Sequence, residues 1–171
     1  MNIKIGEYFV RNFRKEDVPS LVQSANNRNI WLNLRDVFPH PYEAKDAKSF
    51  INHINESSPQ TIHAISTKTE AIGCIGLTIG EDVHRLTAEL GYWLAEPFWG
   101  RGIMTNAVKT VVMHGINKLN LIRIYAEPYI TNPASVRVLE KSGFIQEGVL
   151  RSNVYKDGKV LDQVLYSYVK V

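Results

Sequence analysis

Seven consecutive residues, Trp99-Gly100-Arg101-Gly102-Ile103-Met104-Thr105, have the types and spacing to bind an anion. Two glycines one residue apart lead into Asn106 to Lys118. There, counting from Met104, apolar residues recur at helical spacing: Ala107, Val108, Val111, Val112, Ile116. Upstream, Leu86 to Ala95 reads as a strand that ends at Glu96-Pro97. The order strand, glycine loop, helix gathers free backbone N–H groups and the positive end of a helix dipole at one spot. Local charge points the same way. Between Pro97 and Leu139 the only acidic residue is Glu127, while Arg101, Lys109, Lys118, Arg123 and Arg137 are basic. Helix starts usually attract Asp or Glu; this one has none, which leaves its end open to an external anion such as a pyrophosphate.

The anion is narrowed by what is missing. A dinucleotide fingerprint needs a third glycine where Thr105 stands, and a phosphate-transferring loop needs a closing Gly-Lys-Ser/Thr that is absent. Gly-x-Gly alone also fits an ordinary turn, so the elements around it must decide.

Glu7 to Arg14 alternates as a first strand, with Tyr8, Val10 and Phe13 on its apolar side. Asp17 and Pro19 start a helix running to about Asn27. Asn26 to Tyr42 mixes aromatics, asparagines, Arg35, Asp36 and two prolines without a clean period, and reads as an ordered, irregular segment lining something. A helix over Glu43 to Glu56 directs Ala44, Ala47, Phe50, Ile51 and Ile54 inward. Thr61–Ser66 and Ala71–Ile79 flank a short polar turn as a hairpin, and Glu81–His84 turns into the strand Leu86–Ala95. Beyond the glycine-loop helix come the strand Leu121–Glu127 and a helix that Asn132 caps, Pro133 opens and Ser142-Gly143 ends. Phe144–Tyr155 and Val160–Val169 close the chain as a hairpin around Asp157-Gly158.

These elements predict an α/β fold of the α+β type: a mixed, mostly antiparallel sheet of about six or seven strands with about four helices. A helix separates Leu86–Ala95 from Leu121–Glu127, which suits a parallel pair. At 171 residues, without repeats or a dividing linker, a single domain over 1–171 is expected. A net charge of +3 without a basic run argues against nucleic acid. The single Cys74 fits a reducing compartment, and residues 1–10 do not read as a signal peptide. No apolar run approaches the ~20 residues that cross a bilayer, so a cytoplasmic protein is expected. The five histidines lack paired metal spacing, so no metal is expected.

Taken together, the glycine loop, its helix, the following strand and Asn132-Pro133-Ala134-Ser135-Val136-Arg137-Val138-Leu139-Glu140-Lys141-Ser142-Gly143-Phe144 resemble the GNAT acetyltransferases. Within them the chain is most similar to the branch of ribosomal-protein N-terminal acetyltransferases, the RimJ/RimL-like proteins. Asn33-Leu34-Arg35-Asp36 through Pro39-His40-Pro41-Tyr42 looks like that branch's N-terminal part, and the resemblance covers about Tyr8 to Tyr168. The loop departs from the family's Gln/Arg-x-x-Gly-x-Gly/Ala at two places: Trp99 takes the Gln/Arg position and Met104 the final Gly/Ala.

The resemblance implies acetyl-CoA as cosubstrate, lying where the parallel strands splay. It implies that backbone from Leu94 to Glu96 pairs with the pantetheine amides. By the same resemblance, N–H groups around Trp99, Gly100, Arg101, Gly102, Ile103, Met104 and Thr105 would hold the pyrophosphate. Likewise Asn132 would bond the pantetheine arm near the sulfur and Ser135 would sit close to the thiol or its phosphate-side arm, although Asn132 by itself also reads as a plain helix cap. Glu89 is the general base implied for the amine, which must lose a proton from a pKa of ~8 to ~10 before it attacks; a surface carboxylate on a strand is the alternative. A backbone N–H on the strand Leu90–Ala95 would serve the developing oxyanion. Many relatives carry a Tyr as thiol acid where this chain has Leu139, which leaves Ser135 or water. Contact with the acceptor falls to Asn33, Arg35, Asp36 and Tyr92, with His40 and Tyr42 in reserve. The expected activity is direct transfer of acetyl to a primary amine, a protein N-terminus or a small molecule such as an antibiotic, by a monomer or homodimer. The alternative is a CoA-binding regulatory module without turnover.

Overall fold

Alternation and tight turns put most strands where the sequence indicates. The computed structural model describes residues 1–170. Its elements are β1 (Asn2–Ile5), β2 (Tyr8–Arg11), α1 (Val18–Ala25), α2 (Arg28–Trp31), α3 (Ala44–Glu56), β3 (Ile62–Ser66), β4 (Ala71–Ile79) and β5 (Thr87–Leu94). They continue with α4 (Ile103–Lys118), β6 (Arg123–Ala126), α5 (Pro133–Lys141), β7 (Ile145–Lys156) and β8 (Lys159–Val169). The strand order is β1-β2-β3-β4-β5-β6-β8-β7. The expected parallel pair is β5 with β6, in register Thr87↔Arg123, Ala88↔Ile124 and Glu89↔Tyr125. Pairs β1–β2, β2–β3, β3–β4, β6–β8 and β7–β8 are antiparallel.

Among the described residues, eight strands and five helices exceed the expected counts. The extra strand is β1, too short to show a period, which pairs with β2 across a two-residue turn at Gly6-Glu7. The extra helix is the single turn α2, inside the segment expected to be irregular.

The chain gathers into two compact units: Met1–Gly76 with Tyr92–Ile103, and Leu77–Gly91 with the residues from Met104 onward. In the first unit Leu21 and Ala25 of α1, Ala47, Ile51 and Ile54 of α3, Ala64 of β3 and Ala71 and Cys74 of β4 form a buried cluster with Phe13 and Tyr42. Ala44, expected inward, is exposed in the first turn of α3; Phe50 meets Phe13 edge-on, their centroids 5.4 Å apart. In the second unit Ala107, Val108, Val111, Val112 and Ile116 are the buried stripe of α4, and Leu139 and Phe144 are buried at the end of α5. Arg123 of β6 grips Glu147 of β7 through both carboxylate oxygens, and Ser167 of β8 donates to the same carboxylate at 2.6 Å. Arg123 first, then Ser167, hold that carboxyl down at about 2. One acid thus ties three strands.

Charge is also sealed inside the first unit. Arg11 of β2 donates two 2.7 Å bonds to Asp17, the side chains 5% and 2% exposed, and the Arg14 backbone N–H adds a third bond at 2.8 Å. The fork of bonds joins β2 to the start of α1. Losing one partner would strand a buried charge, so Asp17→Ala should cost about 3–5 kcal/mol in urea unfolding, well beyond a surface carboxylate.

Candidate active site

β5 ends at Leu94 and the chain turns through Glu96–Phe98 into the glycine loop. The strand end is fixed by β4: Ala95 N–H donates to the Ile72 carbonyl at 2.8 Å. Gly73 permits this approach, since a Cβ there would lie 2.5 Å from the Trp93 carbonyl oxygen. The loop is braced by its own side chains. Trp99 donates its indole N–H to the Leu94 carbonyl at 2.6 Å. Arg101 lies over the Phe98 ring, 5.4 Å from its centroid, and donates to the Pro97 carbonyl at 2.8 Å. Trp99 and Arg101, expected to hold cofactor, are therefore committed to loop geometry through their side chains. What they offer a ligand is backbone.

Gly100 and Gly102 have φ of 74° and 72°, the left-handed region that costs a residue with a Cβ about 1–2 kcal/mol. A Cβ built at either would meet nothing within 4 Å, so the space before them is open. Helix α4 begins at Ile103, three residues before the expected Asn106. Ile103, Met104 and Thr105 are thus its first turn, where N–H groups lack intrahelical acceptors, and no acidic residue occupies that turn. The Ile103 and Met104 side chains are buried, which again leaves their backbone.

The irregular segment is tied to this turn by a residue that sequence reasoning passed over. Glu96 accepts from Asn27 Nδ2 at 2.7 Å and from Asn29 Nδ2 at 3.1 and 3.2 Å. These bonds, Asn27 first, hold its carboxyl below the usual range. The signal available was the asparagine-rich run itself, whose amides need an acceptor. Aromatic contacts continue the segment: Phe38 stacks on Tyr42 at 5.0 Å and meets Trp93 edge-on at 5.8 Å, and Trp31 stacks on His40 at 5.7 Å. Of the expected acceptor contacts, Tyr92 is half-buried on β5. Arg35 and Asp36 are exposed, and Asn33 donates to the Asn29 carbonyl at 2.9 Å, extending α2.

The second unit holds the remaining candidates. Glu89 is half-buried on β5, the last residue in register with β6, while β5 continues to Leu94. Asn132 does cap α5, its Oδ1 accepting from the Ser135 N–H at 3.1 Å. Among the described residues its Nδ2 has no protein partner, so the cap leaves two donors for another group. Residues 127–132 are held by β8: Ile130 N–H donates to Asp162, Val164 N–H to Pro128, and the buried Gln163 side chain to Glu127 at 2.7 Å. Gln163 is a support that sequence reasoning missed. Ser142, at the end of α5, lies 3.5 Å from the Thr105 carbonyl. Leu139 is fully buried and has no proton to give a thiolate. Among the described residues no group of three or more His, Cys, Asp or Glu is placed to hold a metal ion, and no helix is long and apolar enough to cross a membrane.

The acetyltransferase (GNAT) domain family matches residues 8–145. This chain belongs to the GNAT acetyltransferase family. The uncharacterized N-acetyltransferase YoaA of Bacillus subtilis is 41% identical over 101 residues, 59% of this chain and 56% of YoaA, so the match spans little more than half of that relative. The spermidine N(1)-acetyltransferase of Vibrio cholerae is 26% identical over 155 residues, 90% of this chain and 87% of that one. RimL, a ribosomal L7/L12 alpha-N-protein acetyltransferase solved with coenzyme A, has the same fold, with a TM-score of 0.87 at 21% identity over 99% of this chain and 98% of RimL.

In this GNAT chain Cys74 is buried within the first unit, and burial pushes its thiol up to about 12. The neighbouring Tyr42 phenol is also raised, by burial first and then by Cys74 and Asp46. A thiol so held is no nucleophile at neutral pH. The folded state keeps a proton that an unfolded thiol loses above about 8.5, so stability should fall as pH rises from about 9 towards 12. Ellman's reagent at pH 8 should leave native Cys74 unmodified for hours and label it within minutes in urea.

Proposed function

We propose that the protein is an acetyl-CoA-dependent N-acetyltransferase, acting as a single domain over residues 1–171 on a primary amine. The observation that carries this reading is the pair of left-handed glycines before α4, with open space where each Cβ would stand. That cradle suits a pyrophosphate, because a phosphate oxygen can approach the backbone at Gly100 and Gly102 where no Cβ stands. The absence of an acid in the first turn of α4 supports the same ligand. Backbone at Leu94 and the spare Nδ2 of Asn132 would hold the pantetheine arm by hydrogen bonds. The Leu94 carbonyl keeps a second lone pair besides the one taken by Trp99.

Bound acetyl-CoA supplies an acyl group already activated as a thioester. Glu89 takes the proton of the acceptor ammonium, directly or through one water. As the C–N bond forms and the C–S bond breaks, Ser135, half-buried in the first turn of α5, or a water there, would relay the proton shed by the newly acylated nitrogen to the departing sulfur. Transfer is direct in a ternary complex, since Cys74 is sealed in the core. The acceptor side is the segment Asn26–Tyr42 with Tyr92. A protein N-terminal amine is the acceptor we favour, by analogy with RimL; the spermidine acetyltransferase among the relatives makes a small polyamine the second reading.

The donor half is tested by acetyl-CoA, which at 100 times its Kd should stabilise the protein by ~2.7 kcal/mol in a thermal shift. Gly102→Val should keep the fold and lose that shift; equal shifts in both proteins would reduce the loop to a turn. For the chemical step, Glu89→Gln should lower kcat roughly 100-fold at neutral pH, and less where the amine is already neutral. An unchanged pH–rate profile would remove Glu89 from the reaction. A turnover screen over N-terminal peptides, spermidine and aminoglycosides names the acceptor.

A further inference from the structure

We propose that Glu96 is a positioning residue that couples the glycine loop to the acceptor-side segment, so that donor binding orders residues 28–38. This rests on the reading that the loop takes acetyl-CoA. Glu96 sits two residues beyond Leu94, and its own carbonyl accepts from the Trp99 N–H at 3.1 Å, which makes it part of the turn that delivers Gly100. Its carboxylate receives both Asn27 and Asn29. Asn27 does two things at once: Oδ1 caps α2 by accepting from Asn29 N–H at 2.8 Å and Ile30 N–H at 3.4 Å, while Nδ2 holds Glu96. Asn33 then donates back to the Asn29 carbonyl at the far end of the turn. An unbroken series of polar contacts therefore runs from the loop, through one carboxylate and one cap, to Asn33. It bypasses the apolar core.

Glu96 is exposed, so bonds to its carboxylate compete with water and add little to global stability. Three bonds converging on one acceptor-only group fix geometry instead. A short helix such as α2, capped by a side chain that also holds the loop, is marginal alone and has a low-energy opened state. Immobilising the loop removes part of the entropy cost of closing α2, and the coupling must act equally in the other direction.

Hydrogen exchange on the full chain, with and without saturating acetyl-CoA, tests this. In the wild-type protein acetyl-CoA should slow exchange over residues 99–105 and, by about fivefold, over residues 28–38. In Glu96→Ala the loop should still slow, and residues 28–38 should no longer respond. A double variant, Asn27→Ser with Asn29→Ala, should behave the same way, because the serine hydroxyl retains the α2 cap and only the bonds to Glu96 go. Equal slowing of residues 28–38 in wild type and variants would overturn the proposal, as would a wild-type segment that ignores acetyl-CoA while the loop responds. Calorimetry on the wild-type protein separates the two readings: no acetyl-CoA binding there overturns the donor site itself, and this inference with it.

Discussion

The chain must pass from the end of β5 into α4 within the eight residues 95–102, and the rest of the site depends on how it does so. Two left-handed glycines make the reversal and could not be replaced cheaply. A Cβ at either would meet nothing, and the loop around them is braced by Trp99 reaching back to Leu94 and Arg101 reaching back to Pro97. The bracing side chains are spent on the Leu94 and Pro97 carbonyls, so what the loop has left to offer is backbone. Side-chain–backbone bonds narrow the loop's conformations before an anion arrives, and the freedom that remains is what binding would remove.

The same turn explains where charge is placed. Acidic residues are absent from the first turn of α4, while Glu96 stands on the other side of the glycines with its charged carboxylate hydrogen-bonded by amide donors. A carboxylate so close to an anion cradle would ordinarily repel the ligand. Directing it into Asn27 and Asn29 draws its charge toward the segment Asn26–Tyr42.

Much of the fold was legible because its signals are local. The Asn132-Pro133 start of α5, the Asp157-Gly158 hairpin and the switch from helical to alternating period at Thr61 each follow from a few adjacent residues. β1 escaped notice since four residues cannot display a period, and α2 since its single turn rests on the Asn27 cap and on a glutamate 69 residues away. The site divided along the same line. Gly100, Gly102 and Asn132 announce themselves by backbone chemistry, whereas Glu96 and Gln163 matter only through partners that distant segments bring to them.

That division bears on how substitutions read within the family. Trp99 and Met104 depart from the usual loop pattern, yet the Met104 side chain is buried and Trp99 serves as a brace, so neither change removes an N–H group from the cradle. On the proposed function, a donor held by backbone tolerates drift in side chains. The segment 26–42 is built the opposite way: its turn is capped by one asparagine, fastened by a second and covered by stacked rings, so each replacement alters what it can present. On the same proposal, a change of acceptor rewrites this segment and leaves Gly100 to Thr105 nearly intact. Glu96 is the residue that must stay compatible with both.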